Sequence, residues 1–563
     1  EYNGQAEKGL ISEIGESAKS LAKILSEIQC PFDLGDDVII ERHGRVEGNK
    51  FVIGKMAYTT VILPAMTVMR STSFKLLKEF AQNGGRIITT GITPSYLDGE
   101  ESQELKDFFQ SPLVKKVAAD RESLREVLSS MGNTMVHLEE LNGKGAHDIY
   151  CHVRKCGNAK LVFLCNTSRK ESYKVRLKLD KHHSIEEWDA VTGNRITLTP
   201  YTCDGGSYID LEFEPVGSHL LVMDYEEATH HDTNCDSKLS CSHRDTHKEI
   251  SAQSLTVKDW KGQRTDYNAL TINKCSISFE NGPWEKEDNV LIIDDALKDR
   301  LGLERSNIFV RQPWMYSQEE KDKKYSLKAK YVFHVGEEIK GDIYLAAESP
   351  EIFKVFVNGK PVSSTGKTYK DRAFILHDIK DAVVVGQNEI ILETHEYGQL
   401  VSLESVYVVG DFKLQKDDKG YALANEDENI LPGDWTQQGY PYYSGSIKYT
   451  ANVDINTGSD PHRVELQLGH FWGVVARVLV NDKEAGILGW KPYRVDITDY
   501  ISHGNNTITV EVINSLQNLL GPHHYLPVEG IVTPGSFYCQ GDVKFDKSGF
   551  DGNAVVKIIP CHS

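Results

Sequence analysis

The sequence contains no uninterrupted apolar run near the ~18 residues that a membrane-crossing helix requires, so a membrane span is excluded. It is poor in cysteine, with ten in 563 residues and none arranged as CxxC, which is too sparse for a disulfide scaffold. It is short of positive charge: 63 Lys and Arg against 82 Asp and Glu leave a formal charge of -19. That balance repels phosphate backbones and anionic lipid, so no nucleic acid and no membrane is expected as a partner. A neutral ligand such as a sugar fits better, and 25 Tyr, 19 Phe and 7 Trp supply rings for it. Nothing resembling a leader peptide follows Glu1, so processing of the N-terminus is expected. The compartment stays open, with a secreted or periplasmic location favoured. Asn166-Thr167-Ser168 and Asn505-Asn506-Thr507 fit a glycosylation pattern that is common by chance.

What is present is alternation. Leu10, Ile11, Ile14, Ala18, Leu21 and Leu25 recur at helical spacing, and Asp37-Val38-Ile39-Ile40 reads as a strand after Gly35. Thr60-Val61-Ile62-Leu63 reads as a buried strand, Ser71 to Gln82 as a helix ended by Gly84-Gly85, and Arg86-Ile87-Ile88-Thr89-Thr90-Gly91 as another strand. This order predicts a small parallel, flavodoxin-like α/β domain over residues 1–140. Thr89, Thr90 and Gly91 would lie at the carboxyl edge where such sheets bind ligands, but the segment has no GxGxxG, no GxxxxGK[ST] and no nucleophile elbow.

From about residue 145 the period falls to two. Ile149 to Val153, Leu161 to Cys165 and Tyr173 to Leu179 predict strands, the first two joined by a Gly157-Asn158 turn, and so a β-sandwich over 141–225. Residues 226–250 are rich in His, Cys, Ser, Asp and Thr and read as a linker. Their His230, His231, Cys235, Cys241, His243 and His247 are metal-ligand types without a zinc framework, so no metal is assigned. A Cys235–Cys241 disulfide is compatible with an oxidising compartment. Beyond the linker, strand and turn are expected almost throughout, as two domains over 251–415 and 416–563.

Those two domains contain a repeat. Lys354-Val355-Phe356-Val357-Asn358-Gly359-Lys360 matches Arg477-Val478-Leu479-Val480-Asn481-Asp482-Lys483. Phe374-Ile375-Leu376-His377-Asp378-Ile379 matches Tyr493-Arg494-Val495-Asp496-Ile497-Thr498, and Gly386-Gln387-Asn388-Glu389-Ile390 matches Gly504-Asn505-Asn506-Thr507-Ile508. The order of the blocks is kept, which predicts two jelly rolls of one fold. The pattern resembles the galactose-binding-like jelly roll of β-galactosidase-type glycoside hydrolases. Gly433-Asp434-Trp435-Thr436 through Gly445, with Asn518-Leu519-Leu520-Gly521-Pro522-His523-His524, resembles the terminal module of large α-L-rhamnosidase-like enzymes. Val61-Ile62-Leu63-Pro64 and Gly84-Gly85-Arg86-Ile87 resemble the amidotransferase-like domain that follows the catalytic barrel there, and Trp188-Asp189 with Thr192-Gly193 the sandwich after it.

The resemblance implies a mainly β, multidomain C-terminal region whose partner is the missing N-terminal barrel, which holds the family's two catalytic acids. No catalytic residue carries over. The neighbouring pairs Glu139-Glu140, Glu186-Glu187 and Glu226-Glu227 point to opposite faces of a strand and do not make an acid pair. No cofactor is expected, although a calcium ion in a jelly-roll loop is compatible with the sequence. Carbohydrate contact is expected on a rim of Trp435, Tyr440, Tyr443, Trp472, Trp490, His523 and His524, in loops rich in Gly and Pro where Tyr442 and Tyr525 also lie. Packing of the same rings inside the domain or against its neighbour is the more ordinary role. Three functions follow: the non-catalytic part of a glycoside hydrolase, a stand-alone carbohydrate-binding protein, or a cryptic hydrolase in the α/β domain, which lacks a nucleophile motif.

Overall fold

The computed structural model describes residues 7–132, 136–142, 145–179, 184–190, 193–203, 206–224, 253–305, 311–417, 420–458, 462–524 and 543–560. The expected linker at 226–250, with its His and Cys cluster, lies outside the described residues, as do Tyr525 and Thr192. The chain forms two compact units, 1–244 and 245–563.

In the first unit a three-stranded parallel sheet runs Thr60–Leu63, Arg86–Thr89, Val114–Lys116. The helix Ser71–Gln82 buries Phe74, Leu77 and Phe80 against it, and each large side chain so buried contributes about 1.5–3 kcal/mol. Gly84 follows with φ 84°, the left-handed conformation that ends a helix without steric cost. Residues 37–40, expected as a strand, begin a helix, Asp37–His43. The reason is local: the Asp36 carboxylate accepts from the amides of Val38 and Ile39, which caps a first turn and outweighs the β preference of the aliphatic run.

The strand His137–Glu140 pairs with Tyr173–Leu179 and so belongs to the following sandwich, against the expectation that the α/β layer extends to residue 140. That sandwich closes a four-stranded and a five-stranded sheet on one apolar core. Gln29 ties the two layers together, its buried amide donating to the carbonyls of Ala146 at 2.9 Å and Ile149 at 2.7 Å. Asn166 is fully buried, donating to the carbonyls of Glu171 and Glu214, so a glycan on it would break the fold.

The second unit contains one topology twice. In the first copy a sheet runs Lys274–Phe279, Tyr325–Val335, Gly386–Tyr397, Lys354–Val357, Lys360–Val362. In the second copy it runs Lys261–Arg264, Ser446–Ile455, Gly504–Ile513, Val475–Val480, Lys483–Leu488, which is the same order. The facing sheets also correspond: Asn268–Ile272, Val406–Gly410, Ile343–Ala347, Asp371–Asp378 against Gln253–Thr256, Ala554–Pro560, His462–Leu468, Arg494–Asp496. The strands at 253–264, expected in the first copy, therefore belong to the second, and the first copy is inserted between the second copy's second and third strands. The hairpin of Lys413–Asp417 and Gly420–Ala424 stays with the first copy, pairing onto Tyr325–Val335.

The repeat extends to individual atoms. Asn358 and Gly359 turn with φ 49° and 76°, Asn481 and Asp482 with 50° and 64°, the positive values of a type I′ hairpin. Asn358 donates to the Asn388 side chain at 2.7 Å and Asn481 to that of Asn506 at 2.9 Å. Asn388 and Asn506, both buried, each close a loop by accepting an amide four residues back and donating to that residue's carbonyl. The expectation of strand and turn throughout fails in the first copy at the helix Val290–Leu301 and at the short helix Gln318–Asp322, the first being the longer. Its signals are an Asn289 cap, Val290, Ile293 and Leu297 at helical spacing, and Gly302 at φ 65°.

Candidate functional site

The glycine-rich turns of the second copy meet at one end. A short three-stranded ribbon runs Gly433–Asp434, Gly549–Phe550, Phe471–Trp472, so the turns at 433–445 and 469–473 are stitched through 549–550. Gly549 is required there, because a Cβ would lie 1.9 Å from the Gly433 carbonyl oxygen. The third turn joins by the pairing of His523–His524 with Val543–Lys544 and by Asn518, which donates to the Asp546 carbonyl at 2.8 Å.

The rings divide into two sets. Trp435 is 0% exposed, its indole N–H donating to the Tyr449 hydroxyl at 2.7 Å and its edge meeting Tyr443 at 5.8 Å between centroids. Tyr440, Tyr443 and Tyr442 are buried with it, and His523 is buried with its Nε2 at 3.0 Å from the Gln517 carbonyl oxygen. A ring without an exposed face cannot stack on a sugar, so these side chains build the loops. Trp472 is half-buried, with the Lys547 ammonium 5.4 Å from its centroid and the His470 ring edge-on at 5.1 Å. Trp490 is 53% exposed on the neighbouring loop, which Tyr493 ties down by packing on Phe471 at 4.4 Å. His524 is half-buried. Of the expected rim, Trp472, Trp490 and His524 thus present surface, and the Phe471–Tyr493 contact joins the loops that carry Trp472 and Trp490.

A second arrangement escaped the sequence reading. Between the two copies lies a cleft of about 690 Å³ whose wall is organised by Arg264. The guanidinium binds both oxygens of Glu426, at 2.5 and 2.6 Å, and Oδ1 of Asp411 at 2.7 Å. It also donates to the Asp266 carbonyl at 2.5 Å. Burial works against the Arg264 charge, and the hydrogen bonds to Glu426 and Asp411 more than restore it, so its pKa stands above the ordinary arginine value. Tyr440 donates to Glu426 at 3.2 Å, and burial, then the Glu426 charge, push its pKa up so that the phenol remains a donor. Lys370 pairs with Asp266 at 3.0 Å. These residues come from five separated segments, and a lone Arg in a strand carries no sequence signal. The detectable clue was the repeat itself, which demands a seam between its copies.

Among the described residues no group of three or more His, Cys, Asp or Glu could hold a metal ion, and no helix is long and apolar enough to cross a membrane. No family model matches the chain. Over 94 residues it is 33% identical to a Formosa agariphila protein described as "Putative beta-glucuronidase", a stretch that is 16% of this chain and 8% of that protein. Among solved structures, the rhamnosidase from Novosphingobium sp. PP1Y aligns with a TM-score of 0.40 at 12% identity, covering 92% of this chain and 35% of that one. The exo-carrageenase from Bacteroides ovatus aligns at 0.24 and 14% identity, covering 37% and 26% of the two chains. A β-glucuronidase from Ruminococcus gnavus aligns at 0.18 and 13% identity, covering 45% and 40%. The chain therefore spans a minor part of each protein it is similar to.

Proposed function

We propose that this chain is a non-catalytic, carbohydrate-contacting part of a glycoside hydrolase, its β-sandwiches supporting a catalytic barrel elsewhere in the same protein. The observation that carries this reading is the 33% identity over 94 residues to a protein described as a β-glucuronidase. Jelly-roll architecture for the two copies and an amidotransferase-like origin for the α/β layer belong to the same proposal. The charge of -19 agrees with a ligand that is neither nucleic acid nor lipid headgroup. The exposed Trp490 and half-buried Trp472 are where stacking on a sugar face would occur, while Trp435, Tyr440, Tyr443 and His523 hold the loops in place.

A screen of the chain on a glycan array, followed by calorimetry of Trp472→Ala with the best hit, tests this. The proposal expects a weaker association with thermal stability unchanged. Unchanged affinity together with lost stability would make Trp472 a packing residue and remove the rim from the account. The rival reading, a carbohydrate-binding protein that works alone, is favoured by the nested pair of sandwiches, which forms one unit by itself. The sequence upstream of Glu1 separates the two: a barrel bearing paired acids there decides for the enzyme part.

A further inference from the structure

We infer that the cleft between the two sandwiches is a binding site for a neutral polyhydroxylated ligand, a monosaccharide or disaccharide without a carboxylate. The inference rests on the reading of the chain as carbohydrate-contacting and names a location and a charge class for that contact. The volume of about 690 Å³ lies within the ~300–1,000 Å³ range of small-molecule sites and suits one or two sugar rings.

The chemistry of the wall sets the class. Both cations that line the cleft are already engaged, Arg264 by Glu426 and Asp411, Lys370 by Asp266. The exposed acidic groups are held in fixed orientations by those same bonds. Asp411 is 38% exposed at its side chain, Glu426 26% and Asp266 42%, and a carboxylate has about four acceptor positions, more than its protein donors use here. Braced acceptors of this kind take hydroxyl donors without reorganising. Asp427 and Glu428 add further negative charge to the lining, so a uronate or phosphate would meet carboxylates with no free cation to receive it. Behind the wall, Asn268 spans its two sides, donating to the carbonyls of Phe412 and Gly439, the neighbours of Asp411 and Tyr440.

The test is calorimetric titration of the full chain, at low salt and again with added Ca²⁺, using lactose, L-rhamnose, D-galactose and D-glucuronate as probes. At least one neutral sugar should bind, and glucuronate at least tenfold more weakly. Asp266→Asn, which keeps the shape of an exposed side chain, should weaken the neutral sugar about five- to tenfold with the melting temperature unmoved, while Trp314→Ala, an exposed ring outside both the cleft and the rim, leaves this binding intact. Neutral sugar binding that Trp490→Ala or Trp472→Ala abolishes and Asp266→Asn spares would overturn the cleft and leave the carbohydrate reading standing. Glucuronate bound as well as the neutral sugars would overturn the charge argument. A Ca²⁺ response lost in Asp266→Asn, with no sugar bound by any variant, would make the cleft a cation site and overturn the inference.

Discussion

The two copies in the second unit share strand order, hairpin type and the paired asparagines, yet differ at one connection. Between its second and third strands the first copy carries an excursion with the helix Val290–Leu301, whereas the second copy carries the entire first copy. The lesson is about tolerance. A connection that leaves and re-enters one end of a sandwich adds only loop-closure entropy, which grows slowly with length, so the same point accepts a helix or a domain. The turn locked by Asn388 or Asn506 is the same in both copies because those two amide side chains are buried and find their partners in the turn itself.

The sharpest break in the comparison is at the helix that only the first copy has. Lys298 is 0% exposed and sits 3.7 Å from Asp294, whose carboxylate also accepts from Tyr397 at 2.7 Å and from the Leu403 amide at 2.9 Å. Asp294→Ala removes the acceptor that meets the buried Lys298 ammonium, the Tyr397 hydroxyl and the Leu403 amide, and should destabilise the protein by about 3–5 kcal/mol. Chemical denaturation followed at Trp would show it. A loss under 1 kcal/mol would mean that the helix is an ornament on the first copy rather than part of its core.

The next effect is in pH dependence and also singles out the first copy. Burial, then the charges of Glu348 and Asp294, raise the Glu404 carboxyl to about 7. Because the folded-state pKa lies above the unfolded one, the folded state binds the extra proton. That stability is present in full below the unfolded value of about 4.3 and is lost as pH rises through 7. The difference amounts to about 3 kcal/mol between pH 4 and pH 8. Glu404→Gln should flatten that part of the urea-midpoint profile, and a profile identical to the parent would reject the assignment.

Asn506→Ala and Asn388→Ala should cost about the same, about 2–3 kcal/mol each, because each removes an equivalent set of buried bonds. A large inequality would show that the copies do not share this lock in energetic terms.

How much of this was legible follows the range of the interactions. The helix Ser71–Gln82, the strands around Gly157-Asn158 and the two hairpins were readable because period and turn chemistry are local. Asp37–His43 was misread because one capping carboxylate outweighed the β preference of Val38, Ile39 and Ile40. The nesting was not readable: the strands 253–264 carry no mark of partners that begin at Ser446 and Ala554, far along the chain. At the candidate site, the sequence identified the loops that converge but not which rings they bury, since Trp435 and Trp472 both lie within two residues of a glycine and differ in what covers them. The Arg264 cluster combines pieces of five segments and exists only once the copies are side by side.

The smallest effect tests the hairpin equivalence itself. Asp482 holds φ 64° where the first copy has Gly359 at 76°, and a non-glycine residue there is strained. Asp482→Gly should stabilise the second copy by about 0.5–1 kcal/mol, read as a raised melting temperature, whereas Gly359→Asp should lower it by a similar amount.

The central claim, that the chain contacts carbohydrate without cleaving it, is tested most directly by one paired assay. The full chain is incubated with aryl α-L-rhamnosides and aryl β-galactosides while release of the aryl group and binding of the corresponding sugars are measured together. The account predicts binding of a neutral sugar with release no faster than in buffer. Turnover that a single Glu or Asp substitution abolishes would contradict it.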